Sequence, residues 1–151
     1  MEKLGFVIER VRAITPDIVE AHNRLVPQLT DNKPPPQPLD LESLIEAATN
    51  VLLVARQTNA EDKILGCGCV STYRVPTGVR AVIEDVVVEG AARGQGIGEA
   101  LMNELVNAAR EMGAAGVALT SNPAREAANR LYLRLGFKLR KTNSYFYRIP
   151  R

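Results

Sequence analysis

The sequence predicts a mixed α/β fold, and three observations carry that prediction. Short β-branched apolar runs alternate with stretches whose apolar residues fall at helical spacing. The early strands are separated by turn signals, as antiparallel neighbours are. One strand, Val82 to Glu89, leads through a glycine-rich turn into an amphipathic helix, the pattern of a crossover between parallel strands. At 151 residues the chain has the length of a single domain, 1–151, with a sizeable core.

Phe6 to Val11 alternates enough to form a first strand. Thr15-Pro16-Asp17 is a helix start, with proline in the first turn and an acid behind it. That helix should turn Ile18, Val19 and Leu25 inward, and Pro27 should end it or lie just beyond its last full turn. Pro34, Pro35, Pro36 and Pro38 make Leu29 to Pro38 a stiff, extended connection. Asp40 is expected to cap a second helix that runs to about Ala48. Strands follow at Asn50–Gln57, Ile64–Tyr73 and Val79–Glu89, and Pro76-Thr77-Gly78 pairs the last two as a hairpin. The next helix ends at Gly113 to Gly116, Val117 to Thr120 is a fifth strand, and Ala124 to Leu135 is a helix stopped by Gly136. Phe137–Lys141 and Ser144–Ile149 read as two closing strands. The order is β-α-α-β-β-β-α-β-α-β-β, with strands four and five parallel.

Composition excludes several classes. The net charge of +2 comes from 19 basic and 17 acidic residues without a concentrated basic stripe, so no nucleic-acid partner is expected. No apolar run approaches a membrane span, and Met1 to Gly5 leads into no signal-peptide pattern, so no membrane association and a cytoplasmic location are expected. Cys67 and Cys69 point to one face of a strand. Two cysteines cannot complete a four-ligand zinc site, and the lone His22 is distant in sequence, so no metal is expected and both cysteines read as small core residues.

The chemistry is concentrated after the fourth strand, in Arg93-Gly94-Gln95-Gly96-Ile97-Gly98. A strand that enters a helix through glycines exposes unpaired backbone N–H groups at the positive end of the helix dipole, which is an anion cradle. Glycine lets the backbone approach the anion closely. Gly98-Glu99-Ala100 lacks the lysine and hydroxyl of a P-loop. The third glycine is misplaced for a dinucleotide fingerprint.

What fits is Arg-x-x-Gly-x-Gly after a strand, carried by Arg93, Gly96 and Gly98. On this loop the sequence resembles the GNAT superfamily of N-acetyltransferases, whose pyrophosphate loop reads Gln/Arg-x-x-Gly-x-Gly/Ala. A second block, Ala128-Asn129-Arg130-Leu131-Tyr132-Leu133-Arg134-Leu135-Gly136-Phe137, is similar to the family's Ala-x-x-Leu-Tyr-x-x-x-Gly-Phe signature. The resemblance implies acetyl-CoA as co-substrate, its diphosphate held by the loop from Arg93 to Gly98. It also implies strands four and five that splay apart, with the pantetheine arm against the backbone of Val86, Val87 and Val88. It implies that Tyr132 is the general acid for the departing thiolate, as a phenol can be. Many family members carry asparagine where this chain has Arg125; the arginine could contact the coenzyme or face solvent.

The acceptor amine must be attacked as its free base, and a carboxylate can take its proton. Glu84 and Asp85 are adjacent on strand four, so regular alternation puts them on opposite faces, with Glu84 sharing the parity of Val86 and Val88. Related enzymes use a glutamate here, so Glu84 is chosen as base, with Asp85 or water as the alternatives. The reading is an N-acetyltransferase acting on a primary amine of a small molecule or peptide by direct attack. The alternative is a non-catalytic coenzyme A-binding module of the same fold. Closing strands in such folds can pair between subunits, which leaves a homodimer open.

Overall fold

The computed structural model describes residues 5–31 and 33–151, so Met1 to Leu4 and Asn32 lie outside the described residues. The chain forms two compact units, 1–119 and 120–151. The first contains β1 (Phe6–Arg10), α1 (Pro16–Leu29), α2 (Pro38–Glu46), β2 (Asn50–Gln57), β3 (Ile64–Val75), β4 (Gly78–Val88), a 3-10 turn at Gly90–Ala92, α3 (Ile97–Glu111) and β5 (Val117–Ala118). The second contains α4 (Glu126–Arg134). No described helix is long and apolar enough to cross a membrane.

The strands form one sheet in sequence order, β1 to β5. The first four pair antiparallel, and Pro76 and Thr77 make the turn between the paired residues Val75 and Gly78. β5 pairs parallel to β4, as the helical crossover requires. One face of the sheet contributes Leu52, Val54, Cys67, Cys69 and Val87 to a core shared with Ile18, Ala21 and Leu25 of α1 and Leu41 of α2. The other face packs against α3. Gly66 and Gly68 have no side chains there, and Ile97, Leu101 and Leu105 fill the space. A Cβ on Gly68 would meet Leu105 Cδ1 at 3.0 Å and Val86 Cγ2 at 3.1 Å. Gly68→Ala is therefore expected to overpack this seam and cost roughly 1–3 kcal/mol in chemical denaturation; an unchanged midpoint would show that the seam is loose.

Several boundaries differ from the sequence expectation. Pro27 lies inside α1 rather than ending it. Its missing N–H affects only the last turn, where Asn23 is exposed and its carbonyl can be hydrated, and Thr30 N–H still reaches Val26 O at 3.1 Å. Asp40 is not the N-cap of α2. Gln37 is, and Asp40 completes a capping box by accepting the Gln37 N–H at 2.8 Å.

The fifth strand is two residues long, and the expected closing strands at 137–141 and 144–149 are absent: residues 135–151 carry no strand. A hairpin alone is marginal in water. Here Tyr145-Phe146-Tyr147 also breaks the alternation that would define a buried face, and all three are exposed.

The largest departure is inside β4. Cys69 pairs with Glu84, but Cys67 pairs with Val87, so β4 spends three residue steps where β3 spends two. The extra residue is a β-bulge, and Asp85 adopts φ +53°, a left-handed conformation that aspartate tolerates better than most residues. The bulge reverses the parity expected from the sequence. Glu84 sits with Cys69 on the α1 face, whereas Val86 packs toward Gly68 and Val88 pairs with Gly66 on the α3 face. Glu84 therefore does not share a face with Val86 and Val88.

Candidate active site

The bulge also shapes the sheet edge. β4 and β5 pair only at Ala81–Val117 and Val82–Ala118. A bulged strand bends away from its former course. From Ile83 to Val88, β4 runs on with no strand beside this edge among the described residues. The pairing of strands four and five thus stops just before the bulge.

The glycine loop lies directly beyond. Gly94 and Gly96 have φ +79° and +86°, and a Cβ on either would meet nothing within 4 Å. Gly96 is the N-cap of α3, and no side chain caps the helix. The N–H groups of Ile97 and Gly98 have no partner within an α-helix, and a glycine N-cap offers them no side-chain acceptor, so they can face an outside acceptor. Open space over left-handed glycines, together with uncapped N–H donors, fits a diphosphate. The side chains named from the sequence differ in exposure. Ile97 and Val87 are buried in the core, so only their backbone could reach a ligand. Gln95 and Gly98 are partly buried, and the exposed Arg93 donates from Nε to Val88 O at 3.4 Å.

On the α1 face of the bulge, Glu84, Asp85, His22, Cys67 and Cys69 form one electrostatic cluster. Glu84 is exposed as a residue, yet partial burial of its carboxylate, followed by the Asp85 charge, raises its pKa above the usual range. Burial pushes the Cys67 and Cys69 thiols up to about 12 and about 11, and the Asp85 charge adds to both shifts. His22, distant from the cysteines in sequence, lies close to Asp85 in the fold. Its position in the stripe Ile18, Ala21, His22, Leu25 is the sequence signal for its burial. It is buried, donates from Nδ1 to Ile18 O at 2.8 Å, and has its pKa lowered by burial against the opposing effects of that hydrogen bond and Asp85. The carbonyl partner assigns the proton to Nδ1. Among the described residues, no group of three or more His, Cys, Asp or Glu is arranged to hold a metal.

The second unit explains the other sequence block. Gly136 has φ +98° and follows α4. Phe137 N–H bonds to Tyr132 O at 3.0 Å, and Gly136 N–H to Leu133 O at 3.1 Å, which is a Schellman termination. The apolar contact that accompanies this motif is made by Tyr132 and Phe137, with ring centroids 6.1 Å apart and tilted by 59°. The Gly-Phe pair thus fixes the tyrosine ring. Arg125 is the exposed N-cap of α4.

Residues 18–137 match the sequence model described as the Acetyltransferase (GNAT) family. The chain belongs to this family. The GNAT chain is 38% identical over 92 residues to a rice (Oryza sativa subsp. japonica) protein named "Probable glucosamine 6-phosphate N-acetyltransferase 2". That match covers 58% of this chain and 54% of the rice protein, about half the relative's length. Among solved structures, the Arabidopsis thaliana glucosamine-6-phosphate N-acetyltransferase superposes with a TM-score of 0.78 at 21% identity, covering 95% of this chain and 98% of that one. A Trypanosoma brucei acetyltransferase superposes with a TM-score of 0.74 at 24% identity, covering 95% and 99%. At these identities the two likenesses establish the GNAT fold.

Proposed function

We propose that this GNAT protein transfers an acetyl group from acetyl-CoA to a primary amine of a small molecule or peptide. The observation that carries the reading is the loop at the start of α3, where left-handed glycines leave open space and the helix has no side-chain cap. The match spanning 18–137 crosses both compact units, which supports treating 1–151 as one acetyltransferase domain. The coenzyme supplies the thioester that an amine can attack. The loop from Arg93 to Gly98 binds its diphosphate through backbone N–H groups, and the free β4 edge around Val86 to Val88 offers main-chain partners to the pantetheine arm.

Glu84 takes the proton from the acceptor ammonium. Its raised pKa makes it a better proton acceptor than an ordinary surface carboxylate. Tyr132 Oη gives its proton to the departing sulfur. Both cysteines are buried and strongly resist ionisation, which supports direct attack by the amine over a thiol-linked enzyme intermediate. The rice relative's name makes amino sugar phosphates one acceptor class to include beside simple amines and peptides.

The test is release of free thiol from acetyl-CoA across a panel of amines, peptides and amino sugars, paired with thermal stabilisation by coenzyme A against ATP. Saturation at a hundred times Kd stabilises by about 2.7 kcal/mol. Stabilisation by coenzyme A with no thiol release on any amine would favour a binding module instead. Tyr132→Phe is expected to keep coenzyme affinity and lower turnover, because only the hydroxyl is lost. An unaltered rate with thiol release limiting would reduce the tyrosine to its contact with Phe137.

A further inference from the structure

The last three turns of α1 carry Glu20, Arg24 and Gln28 at four-residue spacing, a single stripe on the helix. That stripe meets the end of β4. Arg24 pairs through Nε with Glu20 at 3.0 Å, donates from a terminal nitrogen to Ile64 O at 2.8 Å, and pairs through the other with Glu89. Gln28 donates to Glu89 Oε1 at 3.0 Å and to Arg24 O at 3.2 Å, and its own oxygen accepts the Gly90 N–H at 2.9 Å. One amide side chain therefore holds both the side chain of Glu89 and the main chain of the next residue. Glu89 is itself fixed by its N–H to Leu65 O at 2.7 Å. The Glu89 side chain is 16% exposed and that of Arg24 21%, so this is a half-buried network rather than a loose surface pair. Burial works against the charge on Glu89, but Gln28 and Arg24 hold its carboxyl below the usual range.

The position of the network gives it a use. Glu89 is the first residue after β4, Gly90 opens the 3-10 turn, and Gly94 lies four residues on. Where the loop starts is thus set by α1, a helix on the opposite face of the sheet from α3. Four of the stabilising bonds run from α1 to Ile64, Glu89 or Gly90, and none of them involves the loop glycines themselves.

We propose that Arg24 and Gln28 are positioning residues for the coenzyme loop: through Glu89 and the Gly90 N–H they set the entry of Arg93–Gly98 and couple α1 to its occupancy. This rests on the reading of that loop as the diphosphate cradle. Linkage then requires reciprocity. If docking α1 favours coenzyme binding, coenzyme must tighten the docked end of α1 by the same factor. The chain leaves α1 for the proline-rich connection at this end, so the coupling reaches a segment outside the loop.

The probe is coenzyme A itself, measured by titration calorimetry with wild type and Gln28→Ala, and by amide hydrogen exchange over residues 24–30 of the wild type with and without coenzyme A. Gln28 is exposed, so its truncation removes hydrogen bonds without opening the core and should leave the chain folded. Two bonds to the loop entry are lost, and coenzyme A should bind roughly tenfold more weakly. Exchange over residues 24–30 should slow when coenzyme A is added. Equal affinity of Gln28→Ala and wild type within twofold, or exchange in that segment indifferent to coenzyme A, overturns the coupling while the cradle stands. Failure of the wild type to bind coenzyme A at all overturns the cradle and the coupling with it. If Gln28→Ala does not fold, the wild-type exchange measurement decides.

Discussion

Gly96→Ala is expected to weaken coenzyme A binding by about 100-fold or more, while Gly113→Ala leaves it unchanged. The two glycines make a controlled pair. Gly96 has φ +86° at the start of α3, Gly113 has φ +92° just past its end, and a Cβ at either meets nothing within 4 Å. An alanine at each imposes a similar left-handed backbone cost, roughly 1–2 kcal/mol. Only Gly96 lies at the uncapped N-terminus of a helix, in the loop proposed to hold the diphosphate, so only there does the new methyl enter space that the anion would use. Loss of two charge-assisted hydrogen bonds at about 1.5 kcal/mol each already amounts to more than 100-fold. Calorimetric titration of both variants, beside denaturant unfolding, separates the two effects. Equal coenzyme affinity in the two proteins would sink the pyrophosphate assignment, because backbone strain would then be the whole difference from wild type.

Glu84→Gln is expected to be slow near neutral pH and to recover partly as pH rises, because solvent then supplies the free amine that the carboxylate had produced. The bulge changes what Asp85→Asn should do. With regular alternation Asp85 would be a bystander on the other face. Instead its charge helps to raise the Glu84 pKa. Removing that charge makes Glu84 easier to ionise, so the acid limb of the activity profile should move to lower pH with the alkaline plateau retained.

A stability measurement gives an independent check. Glu84 holds its proton more tightly folded than unfolded, so its contribution to stability is complete below the unfolded pKa and is lost as pH rises through the folded value. Glu84→Gln has no such loss, so the stability difference between variant and wild type should shift in the variant's favour from acid to neutral pH. A pH-rescued defect in Asp85→Asn and not in Glu84→Gln would assign the base to Asp85. A defect in neither would leave proton removal to water.

The sequence alone determined the features that are local. The Pro76–Thr77 turn, the glycine stops at Gly113 and Gly136, and the strand–glycine–helix passage from Val82 to Ile97 each rest on backbone preferences within a few residues, and each is present. The parallel β4–β5 pair followed from the helix between them. The cysteines read correctly as core because small residues two apart on a strand share a face.

Tertiary structure decided the rest. Whether β4 alternates through Glu84 and Asp85 depends on its partner β3. The bulge there is a mismatch of register between two strands, and no property of Glu84-Asp85-Val86 by itself announces it. That mismatch moved Val86 and Val88 off the face that carries Glu84, and in the packed chain Asp85 lies within electrostatic reach of a histidine 63 positions earlier. The Arg24–Glu89–Gln28 network is of the same kind: its members are 61 or 65 residues apart, and only the docking of α1 against the end of β4 makes them neighbours. Backbone preference is written in adjacent residues and is legible there. Register between strands and the proximity of charges are properties of the packed chain.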